Sequence, residues 1–498
     1  MVYIRKNIWN MSSNDPIIVS YANAVREMQT RNINDPTSWL YQAAIHATNL
    51  SNPLSSWNQC RHGSWYFISW HRMYVYFFES IVRQIVIEQG GKTDWALPYW
   101  DYNLPGQNSI PLPFRNATLQ EGSQNPLYVS ERAQGINSGA TLPPTITNPA
   151  FALSRLLFIG ASEFGGGKTD PKYRFWSLTG RLEQTPHNDI HNAVGGPFGW
   201  MSDPATAAQD PIFWLHHANI DRLWWEWQNM PQRANPTDPA WLNQPFGFMN
   251  TSRQPVQITA LQIQNIVTQL NYDYDTSSAT GKPLSFQPLD SGPNDIEWPE
   301  PWPKLSANRF DIMTLPDTMV LEETMPELLG ATNQPLFLAD ESAKVHLSMD
   351  DRALRHTASL INQGQLRRKV FLDLEDLDAE EKPGSIYSIY LNLPENSPED
   401  IKPAHHIGNV SLFGIERFQN QNDDHLNHTF RISIDITDFL EEQAASHTWQ
   451  DGENVDITFE KQSLGLPEHG EMSEKSLSGS DTINTPAIKI GRISLRCE

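Results

Sequence analysis

The sequence predicts two domains of different class. A mainly α-helical part occupies residues 1–276, an all-β part, sandwich or jelly roll, occupies residues 306–498, and residues 277–305 connect them. Three observations carry this. In the first part the apolar residues recur at helical spacing, with histidines inside the periodic runs. In the last part short alternating or continuous apolar runs are separated by Gly, Pro and Asn. Between them, SSATGKPLSFQPLDSGPNDIEWPEPWPKL is rich in Pro, Ser and Gly and reads as a linker.

Bulk properties narrow the function classes. A chain of 498 residues buries more than one core, and 39% apolar residues with 17 tryptophans indicate a folded protein. A net charge of −22 argues against nucleic acid or an anionic membrane surface as partner. No run of eighteen apolar residues predicts a membrane span. The N-terminal MVYIRKNIWNMSSNDP lacks a signal-peptide core, and two cysteines, Cys60 and Cys497, make no disulfide framework. A cytoplasmic location is therefore expected. The stretch FGGGK, Phe164 to Lys168, lacks the spacing of a phosphate loop.

In chain order, residues 17–32 have helical periodicity, and the helix bearing His46 is expected to start at Asp35-Pro36. Asn49 to Gln59 is a polar loop. Ser64 to Gln89 reads as one long aromatic helix holding His71, closed by Gly90-Gly91. WALPYWDY is given a structural role, and residues 103–180 read as loops. Thr185 as N-cap, Pro186 as first helical residue and Gly195-Gly196 as stop define a short helix. His187 and His191, four apart, share its face. A second helix, with Asp210 as cap, Pro211 next and Pro231 beyond its end, carries His216 and His217. Thr259 to Asn271 also reads as helical. The β part is read from KVFLDLEDL, SIYSIYLNL, GNVSLFGIERF, TFRISIDI, NVDITFEK and AIKIGRISL.

One H-x-x-x-H pair is weak, because helical histidines are usually just hydrogen-bonded residues. A second set, His46, His62 and His71, changes the weighing. Six imidazoles fall into two groups of three, the second being His187, His191 and one of His216/His217. Three neutral nitrogens per site suit zinc or copper; copper binds such a set tighter, and zinc stays open.

HGSWYFISWHR, beginning at His62, and DPIFWLHHANIDRLW, beginning at Asp210, resemble the two copper signatures of the type 3 copper proteins. That superfamily comprises tyrosinases, catechol oxidases and molluscan-type haemocyanins, and the resemblance extends over about the first three hundred residues, by the order of its motifs. It implies a four-helix bundle carrying two copper ions. His46, His62 and His71 would hold the first ion and His187, His191 and His217 the second, with His216 a neighbour. Phenolic small molecules and O2 are the implied substrates. Asp210, Asp221 and Arg222 would orient the site. Cys60 matches a cysteine that some family members join to a histidine by a thioether, here His62. Glu183 and Asn188 match the pair thought to hold a water that takes the phenol proton; an N-terminal helix carboxylate is the plainer reading of Glu183. Pro204 and Asn192 fall at the substrate entrance, where Pro204 leaves it open.

SIYSIYLNLPE resembles the tyrosine-rich strand of the C-terminal domain of plant polyphenol oxidases, which lies over the copper site. Leu412 or Phe413, or the loop after GNVSLFGIERF, is the expected plug. His405-His406 and His425/His428 read as loop residues, with copper delivery the alternative. The resemblance implies a tyrosinase. The alternatives are a catechol or o-aminophenol oxidase without monophenol hydroxylation, and a haemocyanin-like oxygen carrier. A single site per chain weighs against the carrier.

Overall fold

A computed structural model describes residues 1–119, 122–170, 172, 178–275, 327–339, 342–349, 369–379, 384–415, 430–440, 455–464 and 488–497. The expected linker 277–305, His425, His428 and the loop after GNVSLFGIERF lie outside the described residues.

The first part has a helical core. Strand β1 (Tyr3–Arg5) is followed by α1 (Pro16–Thr30), which has Pro at its first position and the Asp15 carboxylate accepting the Ile17 N–H at 2.8 Å. Helix α2 (Trp39–His46) starts later than the Asp35-Pro36 signal. Asp35 instead closes a turn by accepting the Thr37 N–H, and Ser38 is the residue that caps, accepting the Tyr41 N–H at 3.1 Å. Helix α3 (Phe67–Glu88) runs through the core with most of its surface covered, packed against α1 and later against α8. The short helices α4 (Pro144–Thr147) and α5 (Ala150–Ser154) punctuate the loop region.

Helix α6 (Asp189–Gly195) ends where Gly196 takes a positive φ of 64°. Thr185 does not cap it: its backbone is extended (φ −136°, ψ 122°), and its hydroxyl donates to Asp189 Oδ2 at 2.6 Å instead of accepting a helix N–H. The short α7 (Pro204–Ala207) leads to α8 (Ile212–Gln228). There Asp210 caps as expected, accepting the Ile212 N–H at 3.1 Å. Phe78 of α3 stacks on Trp214 of α8, centroids 3.4 Å apart, so the two histidine-bearing helices share one aromatic contact.

Helix α9 (Pro239–Leu242), the hairpin β2 (Pro245–Met249) with β3 (Pro255–Thr259), α10 (Ile266–Gln269) and β4 (Tyr272–Tyr274) close this part. The helix expected over Thr259 to Asn271 is broken. Thr259 caps one tight turn and Asn265 caps the next, so two polar caps divide the run. Strand β4 pairs in parallel with β1. That pairing carries Arg5 into the core, where it meets Glu79 at 2.6 Å and Asp221 at 3.0 Å.

The C-terminal region is built of strands: β5 (Glu327–Ala331), β6 (Leu336–Leu338), β7 (Ala343–Met349), β8 (Val370–Ala379), β9 (Tyr387–Leu391), β10 (His406–Val410), β11 (Phe430–Asp435), β12 (Val455–Lys461) and β13 (Ile488–Cys497). Among the described residues they form one antiparallel path, β10-β9-β12-β7-β5-β13-β8-β11, with β6 also on β13. The last six match the runs read from sequence. Strands β5, β6 and β7 do not; β5 and β6 are short and place Leu328 and Phe337 at exposed positions.

Two apolar clusters result. One runs from Ile8 to Tyr274 and also takes in Ile386 and Phe413; the other runs from Leu329 to Cys497 and holds Leu412. Adjacent residues of the turn after β10 thus belong to different cores.

Candidate metal centre

His46 is the last residue of α2, and His71 lies in the second turn of α3. His62 sits on the loop between them, where Gly63 turns the chain with a φ of 67°. His187 and His191 come from the segment around α6, and His216 and His217 from the middle of α8. All seven are buried. They make two groups, His46/His62/His71 and His187/His191/His216/His217, within each of which candidate ligand atoms lie no more than 4.8 Å apart. The groups face one another: His71 and His217 stack at 4.5 Å and 9°, and His62 lies 5.7 Å from His187.

The backbone fixes the rings. Nδ1 of His46 meets the Pro204 carbonyl at 2.8 Å, Nδ1 of His71 the Phe67 carbonyl at 2.8 Å, and Nδ1 of His191 the Met201 carbonyl at 2.7 Å. A carbonyl can only accept, so each Nδ1 carries the proton and each Nε2 keeps its lone pair. His187 Nδ1 meets Asn188 Oδ1 at 2.8 Å. Nε2 of His71 and of His187 has no hydrogen-bond partner among the described residues. Burial, joined by the neighbouring imidazoles, holds His62, His71, His187, His216 and His217 well below the usual imidazole range. Burial takes His191 down to about 3 against its bond to Met201. Neutral rings with desolvated lone pairs and fixed tautomers are what a metal with nitrogen preference needs. These residues fit a pair of copper ions.

The other expected site residues distribute differently. Glu183 is buried, with Oε1 accepting the Gly63 N–H at 2.8 Å and Oε2 lacking a partner; burial pushes its carboxyl well up against that bond. Cys60 is buried in the helical core, its N–H on the His46 carbonyl at 3.3 Å. Pro204 is buried at the start of α7 and holds His46 through its carbonyl. Asn192 is also buried and donates to Ser411 Oγ at 2.7 Å.

Asp210, Asp221 and Arg222 touch no imidazole through a hydrogen bond. Asp210 pairs with Arg132 at 2.7 Å, Asp221 with Arg5 and Arg72, and Arg222 with Asp101 at 3.0 Å and Glu226 at 2.7 Å. Their action is on helix α8, not on the rings. His405 Nδ1 meets the Leu391 carbonyl, and His406 Nε2 meets Asn409 Oδ1 at 3.0 Å; neither joins a metal-type cluster among the described residues.

Of the two plug candidates, Leu412 lies in the β core and Phe413 in the centre. The Phe413 ring stacks on His191 at 4.1 Å and 22° and stands edge-on to His62 at 5.6 Å and His187 at 5.7 Å. The β part is tied down by Arg155 to Asp435 (3.2 Å) and Asp438 (3.1 Å), Lys369 to Glu163, and Thr145 to Gln462 (3.0 Å). Gly384 approaches Gly196 and Pro197 so closely that no Cβ would fit.

His216, expected as a neighbour of the ligands, has its ring 5.0 Å from His191 and 5.4 Å from His187. Sequence reasoning missed Asp189, Asn409 and Ser411. Asp189, between two candidate ligands on a short helix, was the one local signal on offer.

Comparison with known proteins places the chain among relatives. Residues 36–230 match the common central domain of tyrosinase, residues 235–280 the polyphenol oxidase middle domain, and residues 325–473 a domain of unknown function. A tyrosinase from Hahella sp. (strain CCB-MM4) is 29% identical over 99% of both chains. Aureusidin synthase from Antirrhinum majus and the latent form of a chloroplastic polyphenol oxidase from Prunus armeniaca are each 28% identical, over 49% and 53% of this chain. The chain spans 47% of the length of each of these two plant relatives. In fold, a latent apple tyrosinase superposes with a TM-score of 0.60 at 19% identity, covering 100% of this chain and 97% of its own. A recombinant latent aurone synthase gives 0.62 at 19%, covering 100% and 90%.

Proposed function

Since this chain belongs to the tyrosinase and polyphenol oxidase family of copper oxidases, we propose that it uses O2 to hydroxylate monophenols to o-diphenols and to oxidise o-diphenols to o-quinones. The observation that carries this reading is the pair of buried all-histidine groups facing each other. His46, His62 and His71 hold one copper, and His187, His191 and His217 hold the other, within the helical bundle. The domain limits 1–276, 277–305 and 306–498 belong to the same reading. Copper, when bound, supplies electron exchange with O2 and a Lewis acid for the phenol oxygen.

The protein supplies the rest. Pro204, Phe67 and Met201 carbonyls fix three rings before the metal arrives, a preorganisation that costs nothing during turnover. Glu183 and Asn188 hold the water that takes the phenol proton, while the Gly63 N–H holds Oε1 of Glu183 in place. Burial raises the proton affinity of its carboxyl, as general-base function favours. A Cys60–His62 thioether would lock the loop ring further; a chain mass lower by two hydrogens tests it. Phe413 occupies the aromatic position over His191, so the C-terminal domain restrains turnover until it moves. A latent form among the relatives supports that role.

A second reading is oxidation of o-diphenols or o-aminophenols without hydroxylation. It is favoured by Asn188, one of whose two acceptor positions is occupied by His187 at 2.8 Å. The deciding experiment follows the product when the copper-loaded chain, before and after limited proteolysis, is given a monophenol and, separately, an o-diphenol with O2 uptake recorded. An o-quinone supports the tyrosinase reading. Quinone from o-diphenol alone supports the second, and O2 binding with neither product would make the chain a carrier.

A further inference from the structure

Helix α6 bears His191 and is only seven residues long; His187 lies two residues before its start, in the segment entered from the extended Thr185. A helix of two turns does not hold itself in water, so its side-chain ties decide where His187 and His191 stand. Two of those ties come from the other domain. Asn409 Nδ2 donates to Asp189 Oδ2 at 2.7 Å, and Ser411 Oγ accepts from Asn192 Nδ2 at 2.7 Å. Thr185 supplies the local one.

Asn409 is itself anchored on both sides. Its amide also donates to the Thr145 carbonyl at 2.8 Å, and its oxygen accepts from Ser388 Oγ at 2.8 Å and His406 Nε2 at 3.0 Å. Two donors and two acceptor positions are all an asparagine side chain has. Every one is used, two toward each domain. A simple cover needs an apolar plug and no such strut.

We propose that Asn409 and Ser411 are positioning residues of the metal centre: the C-terminal domain holds α6 in register for the second copper as well as covering it. This rests on the ligand assignment above. Covering alone and framework make opposite predictions. If the strand only covers, breaking it frees the site and leaves copper binding intact. If it positions α6, breaking it weakens one copper and not the other.

The experiment uses the full chain stripped of metal and titrated with copper against a competing chelator, in wild type, Asn409→Leu and Ser411→Ala. Ser411→Ala is the milder change should Asn409→Leu fold poorly, and Phe413→Ala serves as a variant that removes the plug alone. Wild type and Phe413→Ala are expected to hold two ions. Asn409→Leu and Ser411→Ala are expected to hold one ion as wild type does and the other about 10- to 100-fold more weakly, the usual effect of losing an outer-shell partner. Wild-type affinity for both ions in these two variants would overturn the proposal. A wild-type chain that binds fewer than two ions would instead defeat the ligand assignment.

Discussion

The ring of Phe413 lies 4.1 Å from that of His191 at an interplanar angle of 22°, so the β domain lays an aromatic face against a proposed copper ligand. Its neighbour Leu412 points the other way, into the β core. Phe413→Ala removes the stack and keeps Leu412 as anchor. Stacked aromatic pairs contribute about 0.5–1.5 kcal/mol beyond burial, so the intact variant should oxidise an o-diphenol roughly two- to tenfold faster than wild type. An unchanged rate in the uncleaved chain would show that the ring is no barrier.

His216 and His217 are adjacent in sequence and share one cluster. The proposed assignment gives them different fates. His217→Ala should bind one copper per chain and lose quinone formation, whereas His216→Ala should keep two. Metal counts on purified, dialysed protein separate the cases; the reverse pattern would hand the ligand role to His216.

On the proposed reading Glu183 serves proton transfer and holds no metal. Glu183→Gln should therefore retain both coppers and o-diphenol oxidation while slowing monophenol hydroxylation by about 10²- to 10⁴-fold, the range of general-base catalysis. Equal losses on both substrates would reassign Glu183 to holding the Gly63 loop.

The scaffold has its own prediction. Burial alone would raise the carboxyl pKa of Glu79 and of Asp221, but the guanidinium groups of Arg5 and Arg83, and of Arg72 and Arg5, outweigh it and hold both below the usual range. The Asp221 carboxylate also accepts from Tyr272 and Tyr274. Folded values below unfolded ones mean that this stabilisation is complete above the unfolded pKa of about 4 and is lost as pH falls through the folded values. Arg5→Met leaves both carboxylates short of a partner and should cost about 3–5 kcal/mol at neutral pH. Urea unfolding at pH 7 and at acid pH reads both effects, and the cost should shrink in acid.

What the sequence made legible follows the range of its signals. The histidines of α2, α3, α6 and α8 stood out because helical periodicity and two dense motifs are local, and the structure gathers them into facing groups. The tie of Pro204 to His46 was not legible because it is made by a backbone carbonyl, which any residue could provide. The place of His216 was not legible because adjacency on a helix says nothing of which ring turns inward. Asn409 meets Asp189 across 220 residues, and no local pattern encodes such a contact. Phe413 and Leu412 could not be told apart in sequence, since the turn that divides them between two cores appears only once both cores exist.

The central claim is that the facing histidine groups form a two-copper oxidase centre. It is tested most directly by metal content and O2 consumption on one sample of copper-loaded chain supplied with an o-diphenol, before and after limited proteolysis. Two coppers per chain, with O2 uptake matched by quinone formation in at least the cleaved sample, is the predicted result. Two coppers without O2 uptake in either sample, or uptake that persists after the metal is chelated away, would contradict it.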